Sequence, residues 1–142
     1  MRAVLDTNIV VSALIWGGTP YKLLQAATDG DLELFTSPAL LAELRGVLAR
    51  KHLASRLTKQ RSSLEQAIEL YGELATSVSP LSTPRAVPRD VDDDQVIAAA
   101  LAAKVDIVIS GDADLLSMGA FEGIAIITAR EAVDRFKARM KT

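Results

Sequence analysis

The chain has 142 residues, 49% of them apolar, with one Trp, two Tyr and three Phe, so its core is expected to be aliphatic. With no cysteine and one histidine it excludes a disulfide framework, thiolate chemistry, a His-rich zinc site and a serine or cysteine triad. A net charge of −2 and a pI near 5.4 argue against a generic nucleic-acid coat protein. Mean hydropathy is +0.22, yet no apolar run approaches the roughly 18 residues of a membrane span. The start, Met1 to Leu5, resembles a signal peptide only briefly, because Asp6 and Asn8 interrupt it. One domain over residues 1–142 is expected, in the cytoplasm and away from membranes.

In chain order, Arg2 to Leu5 reads as a buried strand and Thr7 to Trp16 as an apolar helix. The turn Gly17-Gly18 precedes Thr19-Pro20, read as an N-cap followed by proline at the first helical position, with the helix reaching about Thr28. Leu32 to Phe35 is a short strand, and Ser37-Pro38 opens a third helix by the same signal. A further helix fits Thr58 to about Ala75, followed by a brief strand over Thr76 to Ser79. Pro80 to Asp90 holds three prolines and reads as a connection within the domain. Asp92-x-x-Gln95 is a capping-box pattern for a helix through Ala103, and Thr128-x-x-Glu131 is another for the C-terminal helix. Between them, Ile107 to Ser110 and Ile124 to Thr128 read as strands. Strands separated by helices imply right-handed crossovers. The expected fold is a three-layer α/β/α sandwich with a mostly parallel central sheet.

In such sheets ligands bind beyond the carboxyl ends of the strands, and Asp6 and Asp112 fall there. Asp6 can equally N-cap the helix that follows it. Asp112 can be a turn residue after Gly111, and Asp114 can cap the short Leu115-Leu116 turn. Glu43 sits at the shoulder of an apolar stripe through Leu40, Leu41, Leu44, Val47 and Leu48, where most glutamates are solvated. The run Asp90-Val91-Asp92-Asp93-Asp94 holds more acids than capping requires. Acids converging on one sheet edge repel unless a cation joins them, and all-oxygen ligands suit Mg²⁺ or Mn²⁺.

The segment from Arg45 to Arg61 carries six Arg or Lys, with His52 among them and no acid. It is either a solvated surface or a polyanion contact, with Arg45, Arg50, Lys51 and Arg56 the candidates to make it. Gly17-Gly18 lacks the lysine and spacing of a phosphate-binding loop. Trp16 is expected in the core or an interface rather than as a base-stacking platform.

Four motifs in order, Val4-Leu5-Asp6-Thr7-Asn8, Leu41-Ala42-Glu43-Leu44, Asp90-Val91-Asp92-Asp93-Asp94 and Ser110-Gly111-Asp112-Ala113-Asp114-Leu115-Leu116, resemble those of PIN-domain proteins. The likeness is closest to the branch of VapC-like toxins of toxin–antitoxin pairs and spans essentially the whole chain. It implies a Mg²⁺- or Mn²⁺-dependent ribonuclease leaving 5′-phosphate and 3′-hydroxyl ends. It implies an acidic metal site of Asp6, Glu43, Asp94 and Asp112, with Thr7, Asn8 and Ser110 supporting it through hydrogen bonds. Asp93 and Asp114 are auxiliary acids, and Val91 departs from the proline often found at its position. RNA substrate, an antitoxin partner and a homodimer or higher homo-oligomer follow from the same resemblance. Two other classes stay open: a phosphotransfer enzyme of receiver or haloacid-phosphatase type, and a non-catalytic protein-binding module. The phosphatase type wants a second Asp where this chain has Asn8. The receiver type wants a paired acid and a later lysine, neither of which is evident.

Overall fold

The computed structural model describes residues 1–80 and 91–140, with side chains of 91, 92 and 138–140 outside the description. The first half runs β1 (Arg2–Leu5), α1 (Thr7–Ile15), α2 (Gly18–Thr28), β2 (Glu33–Thr36), α3 (Pro38–Leu48), α4 (Lys51–Lys59), α5 (Leu64–Leu74) and β3 (Ala75–Ser77). The second runs α6 (Val91–Ala103), β4 (Ile107–Ile109), α7 (Ala113–Met118), β5 (Ala120–Phe121), β6 (Ile124–Ile127) and α8 (Ala129–Met140). The strands form one sheet in the order β3-β2-β1-β4-β6-β5. Every pairing is parallel except that of β5 with β6. The expected α/β sandwich with a mostly parallel sheet is therefore the observed one.

Alternation along the strands divides the core in two, because successive side chains leave opposite faces of a sheet. Ala3 and Leu5 of β1, with Ile107 and Ile109 of β4, pack among α1, α2, α3, α4, α5 and α8. Val4 and Val108 point the other way, into a second cluster with Val96, Ile97, Ala99 and Ala100 of α6 and Leu115 of α7. Beyond its acidic first turn, helix α6 is apolar nearly all round, which suits a helix enclosed between sheet and neighbours. Its alanines favour the helix intrinsically and let it lie close to the strands.

Several boundaries differ from the sequence reading. Helix α2 begins at Gly18, after Gly17 with φ 75°, so Thr19 is inside the helix rather than its cap. The left-handed glycine makes the turn that the threonine was expected to make. Strand β2 sits one residue later than expected, pairing Arg2 with Glu33 and Val4 with Phe35. The helix expected from Thr58 is two helices, because Arg61 adopts φ 58° and Ser63 caps α5 by accepting from the Gln66 N–H at 3.2 Å. Thr58 and Lys59 thus end α4, whose Leu53 and Leu57 face the core. Val91 is already helical, which puts Asp92 inside the first turn of α6 rather than before it. Asp90, and the connection from 81 to 90, lie outside the described residues.

The other cap signals hold. Ser37 Oγ accepts from the Leu40 N–H at 3.2 Å with Pro38 at the helix start, and Thr128 Oγ1 accepts from the Glu131 N–H at 3.1 Å. Each such cap stabilises its helix by about 1 kcal/mol. No helix among the described residues is long and apolar enough to cross a membrane.

Candidate metal centre

The strand order places a switch point between β1 and β4. From β1 the chain works outward through β2 to β3, then returns to β4 on the other side of β1. Crevices at such points, beyond the carboxyl ends of the strands, are where open α/β sheets bind ligands. Asp6 ends β1 and Asp112 follows β4, so the two acids flank the crevice. Helix α6 leads into β4, which brings its first turn, with Asp93 and Asp94, to the same edge.

Asp6 occupies the N-cap position of α1, yet its side chain makes no capping bond. Its backbone carbonyl accepts from the Ile9 and Val10 N–H groups, while its own N–H donates to the Ile109 carbonyl at 2.9 Å. That leaves the carboxylate aimed elsewhere. Asp6 Oδ2 accepts from Ser110 Oγ at 2.7 Å, and Ser110 Oγ in turn accepts from the Asp112 N–H at 2.9 Å. Ser110 is fully buried and Asp6 is 5% exposed, so this bridge is sheltered from water. The hydroxyl uses its one proton on Asp6 and a lone pair on Asp112, which fixes both acids relative to β4.

Asp112 does cap a helix. Its Oδ1 accepts from the N–H groups of Asp114 at 2.8 Å and Leu115 at 3.2 Å, opening α7. Asp114, read from the sequence as a possible cap, lies instead in the first turn of α7. Engaging only Oδ1 holds the Asp112 carboxylate in one orientation and leaves Oδ2 outside the cap.

Among the described residues, Asp93, Asp112 and Asp114 form a group whose carboxylate oxygens lie within 4.8 Å of one another. That separation is comparable to the roughly 4.2 Å between opposite oxygens around Mg²⁺ bound at ~2.1 Å. The donors are all carboxylate oxygens, a hard set that fits Mg²⁺ or Mn²⁺ and offers no soft or nitrogen ligand. Asp93 is 5% exposed and Asp94 fully buried, a placement that carboxylates adopt only when paired or beside a cation.

The expected site residues thus separate by position. Asp112 belongs to the close group, Asp6 joins it through Ser110, and Asp94 is buried beside Asp93 at the start of α6. Glu43 is half-buried on α3, outside the close group. Asp93 and Asp114, expected only as auxiliaries, are inside it. The signal for Asp114 was its spacing from Asp112, two residues across a helix cap, where both side chains reach the same side. Of the supporting residues, Thr7 is buried and Asn8 exposed, while Ser110 makes the bridge described.

The basic segment is distributed over α3 and α4. Arg45 forms a two-bond pair with Glu65 of α5, at 2.5 and 3.0 Å. The pairing raises the Arg45 pKa and lowers that of Glu65, through hydrogen bonding first and charge second. Arg50, Lys51 and Arg56 are exposed. Arg56 lies over the ring of Trp16, 4.2 Å from its centroid, and Trp16 is 58% exposed rather than in the core. Nothing in the sequence joined these two residues, which stand on separate elements.

The family model of the PIN domain matches residues 2–114. No curated protein matches the sequence.

Proposed function

The chain belongs to the PIN domain family, whose members are generally metal-dependent nucleases, and from that premise we propose that it is an endoribonuclease. The observation that carries the proposal is the convergence of Asp93, Asp112 and Asp114 at the switch point, with Asp6 tied to Asp112 through Ser110. Asp6, Glu43, Asp94 and Asp112 are the proposed metal ligands, as the family resemblance implies. Asp93 and Asp114 are proposed to complete the anionic shell, because their oxygens approach Asp112.

A Mg²⁺ or Mn²⁺ ion held there would supply Lewis acidity, activating water and offsetting charge on the phosphate. The chain's own residues do the rest. The Ser110 bridge fixes Asp6, and the α7 cap fixes Asp112, so the two carboxylates need little reorganisation. A carboxylate at this edge accepts the proton of the attacking water, and no histidine is needed for hydrolysis. Products with 5′-phosphate and 3′-hydroxyl ends are expected. PIN membership sets aside the receiver and haloacid-phosphatase types.

The likeness to VapC-like toxins supports a place as the toxin of a toxin–antitoxin pair, with an antitoxin protein as partner, a homodimeric or larger assembly and a cytoplasmic location. The test is cleavage of defined RNAs with Mg²⁺, Mn²⁺ or EDTA, beside Asp6→Asn and Asp94→Asn. Cleavage should need the metal and vanish in both variants, and expression of the wild type alone should arrest growth. Unaltered cleavage in the variants would overturn the site. Absence of cleavage across RNAs would favour a protein-binding module.

A further inference from the structure

The one tryptophan of the chain stands at the end of α1, where an apolar residue of its size would ordinarily be covered. Trp16 is instead the most exposed of the large hydrophobic side chains among the described residues. Its setting is built rather than incidental. Gln60 Nε2, just past α4, donates to the Ile15 carbonyl at 2.6 Å, pinning the end of α4 to the end of α1. Leu53 and Leu57 bury another side of α4 in the core. The Arg56 guanidinium is thereby held over one part of the indole, 4.2 Å from the ring centroid.

Arg56 does not stand alone on its face. His52, Arg56 and Lys59 fall at i, i+4 and i+7, one side of the helix, and all three are exposed. Neighbouring Lys51 and Arg61 are also exposed, and no acid interrupts the sequence from 45 to 61. An exposed indole with a stacked guanidinium and a stripe of cations is the combination that binds single-stranded nucleic acid. Bases stack on the ring and phosphates follow the charges, largely without regard to sequence.

We propose that Trp16, Arg56, His52 and Lys59 form a second RNA-binding site, a stacking platform that holds the strand away from the acidic edge. The proposal rests on the ribonuclease reading for the identity of its ligand. It assigns the net-acidic chain a cationic grip, which the carboxylates cannot supply for themselves. Asp6 and Trp16 lie at opposite ends of α1, roughly 15 Å apart along its axis at 1.5 Å per residue. A stacked strand advances about 3.4 Å per nucleotide, so about four or five nucleotides separate a phosphate at the acids from a base on the indole.

Because Trp16 is the only tryptophan, its fluorescence reports on this site alone. The full chain is titrated with a single-stranded RNA of about ten nucleotides, long enough at ~3.4 Å each to span both sites, in EDTA to prevent cleavage. Quenching should track binding measured independently by anisotropy of the labelled RNA. Trp16→Ala should weaken that binding about tenfold, and Trp16→Phe should restore most of it. Arg56→Ser should also reduce the slope of log K against log salt by roughly 0.7.

Binding without quenching, or affinity unchanged in Trp16→Ala, would overturn the platform while leaving the ribonuclease reading intact. Quenching without any metal-dependent cleavage would keep the platform and sink the ribonuclease. Emission that shifts with protein concentration, but not with RNA, would show the surface to be a contact between copies of the chain and would overturn the proposal.

Discussion

The acidic edge and the basic face of α4 carry opposite charge, and they are organised in opposite ways. At the acidic edge, the carboxylates are buried or half-buried and held by hydrogen bonds. Asp6 is held by Ser110, Asp112 by the first turn of α7, and Asp93 and Asp94 sit inside the core boundary at the start of α6. On α4 the cations stand in solvent, and the fixed elements are a glutamine bond and an aromatic ring. Burial makes the acids costly unless something compensates them, so their geometry is exacting. Exposure makes the cations cheap, individually replaceable and screened by salt. The contrast fits a reaction centre that must be exact and a substrate grip that need only be attractive.

The largest expected effect separates the two functions of Asp112. Asp112→Asn keeps an acceptor for the α7 cap but removes the charge, so it should fold normally and lose more than about 100-fold in cleavage, exceeding the loss typical of outer-shell groups. Asp112→Ala should lose the same activity and a further ~1 kcal/mol of stability, read by denaturant unfolding. Equal stability of the two would mean that the cap contributes nothing. Next, Ser110→Ala removes the bridge without touching a ligand and should cost about 10- to 100-fold in metal affinity or rate. A wild-type rate in that variant would break the argument that Ser110 orients Asp6.

Metal should stabilise the acidic edge and leave the basic face indifferent. At about 100 times its dissociation constant, Mg²⁺ or Mn²⁺ adds ~2.7 kcal/mol to the native state, roughly 5–10 °C in melting temperature for a chain of this size. Asp112→Asn should abolish that shift and Arg56→Ser should not. An equal shift in all three proteins would point to nonspecific binding.

The smallest effect concerns the Arg45–Glu65 pair, which is exposed and therefore weak. The folded pKa of Glu65 is lowered, so its stabilisation is present above the unfolded value near ~4.3 and is lost as pH falls through the folded one. Glu65→Gln should therefore leave the melting temperature almost unaltered at neutral pH, and the small difference from wild type should disappear in acid. A loss that persists below that window would show that Glu65 acts through packing rather than charge. The same variant frees Arg45, and stronger RNA binding would show that Glu65 competes with phosphate for the guanidinium.

The sequence was most legible where one local rule acted alone. Ser37-Pro38 and Thr128-x-x-Glu131 marked helix starts correctly because a side-chain cap needs only residues three apart. The run from Thr58 failed because apolar spacing continues across a break set by Arg61 in a left-handed conformation and by the Ser63 cap. Thr19-Pro20 failed because Gly17 made the turn first. At the acidic edge, Asp6 and Asp112 were placed by strand endings alone, whereas the approach of Asp93 to Asp112 and Asp114 required α6 to be docked on the sheet. On the basic face, charge was visible in the sequence, and of the two places expected for Trp16, core or interface, its 58% exposure excludes the core.

By itself the sequence determined the alternation of strands and helices, the aliphatic core, and the acids that end strands. It did so because period, capping and charge type are properties of residues a few positions apart. Tertiary structure decided which carboxylate oxygens meet, that Ser110 links Asp6 to Asp112, and that Arg56 covers Trp16. Asp93 with Asp112, Asp6 with Ser110 and Arg56 with Trp16 are far apart in the chain, and only the strand order and the docking of α4 and α6 bring them within contact distance.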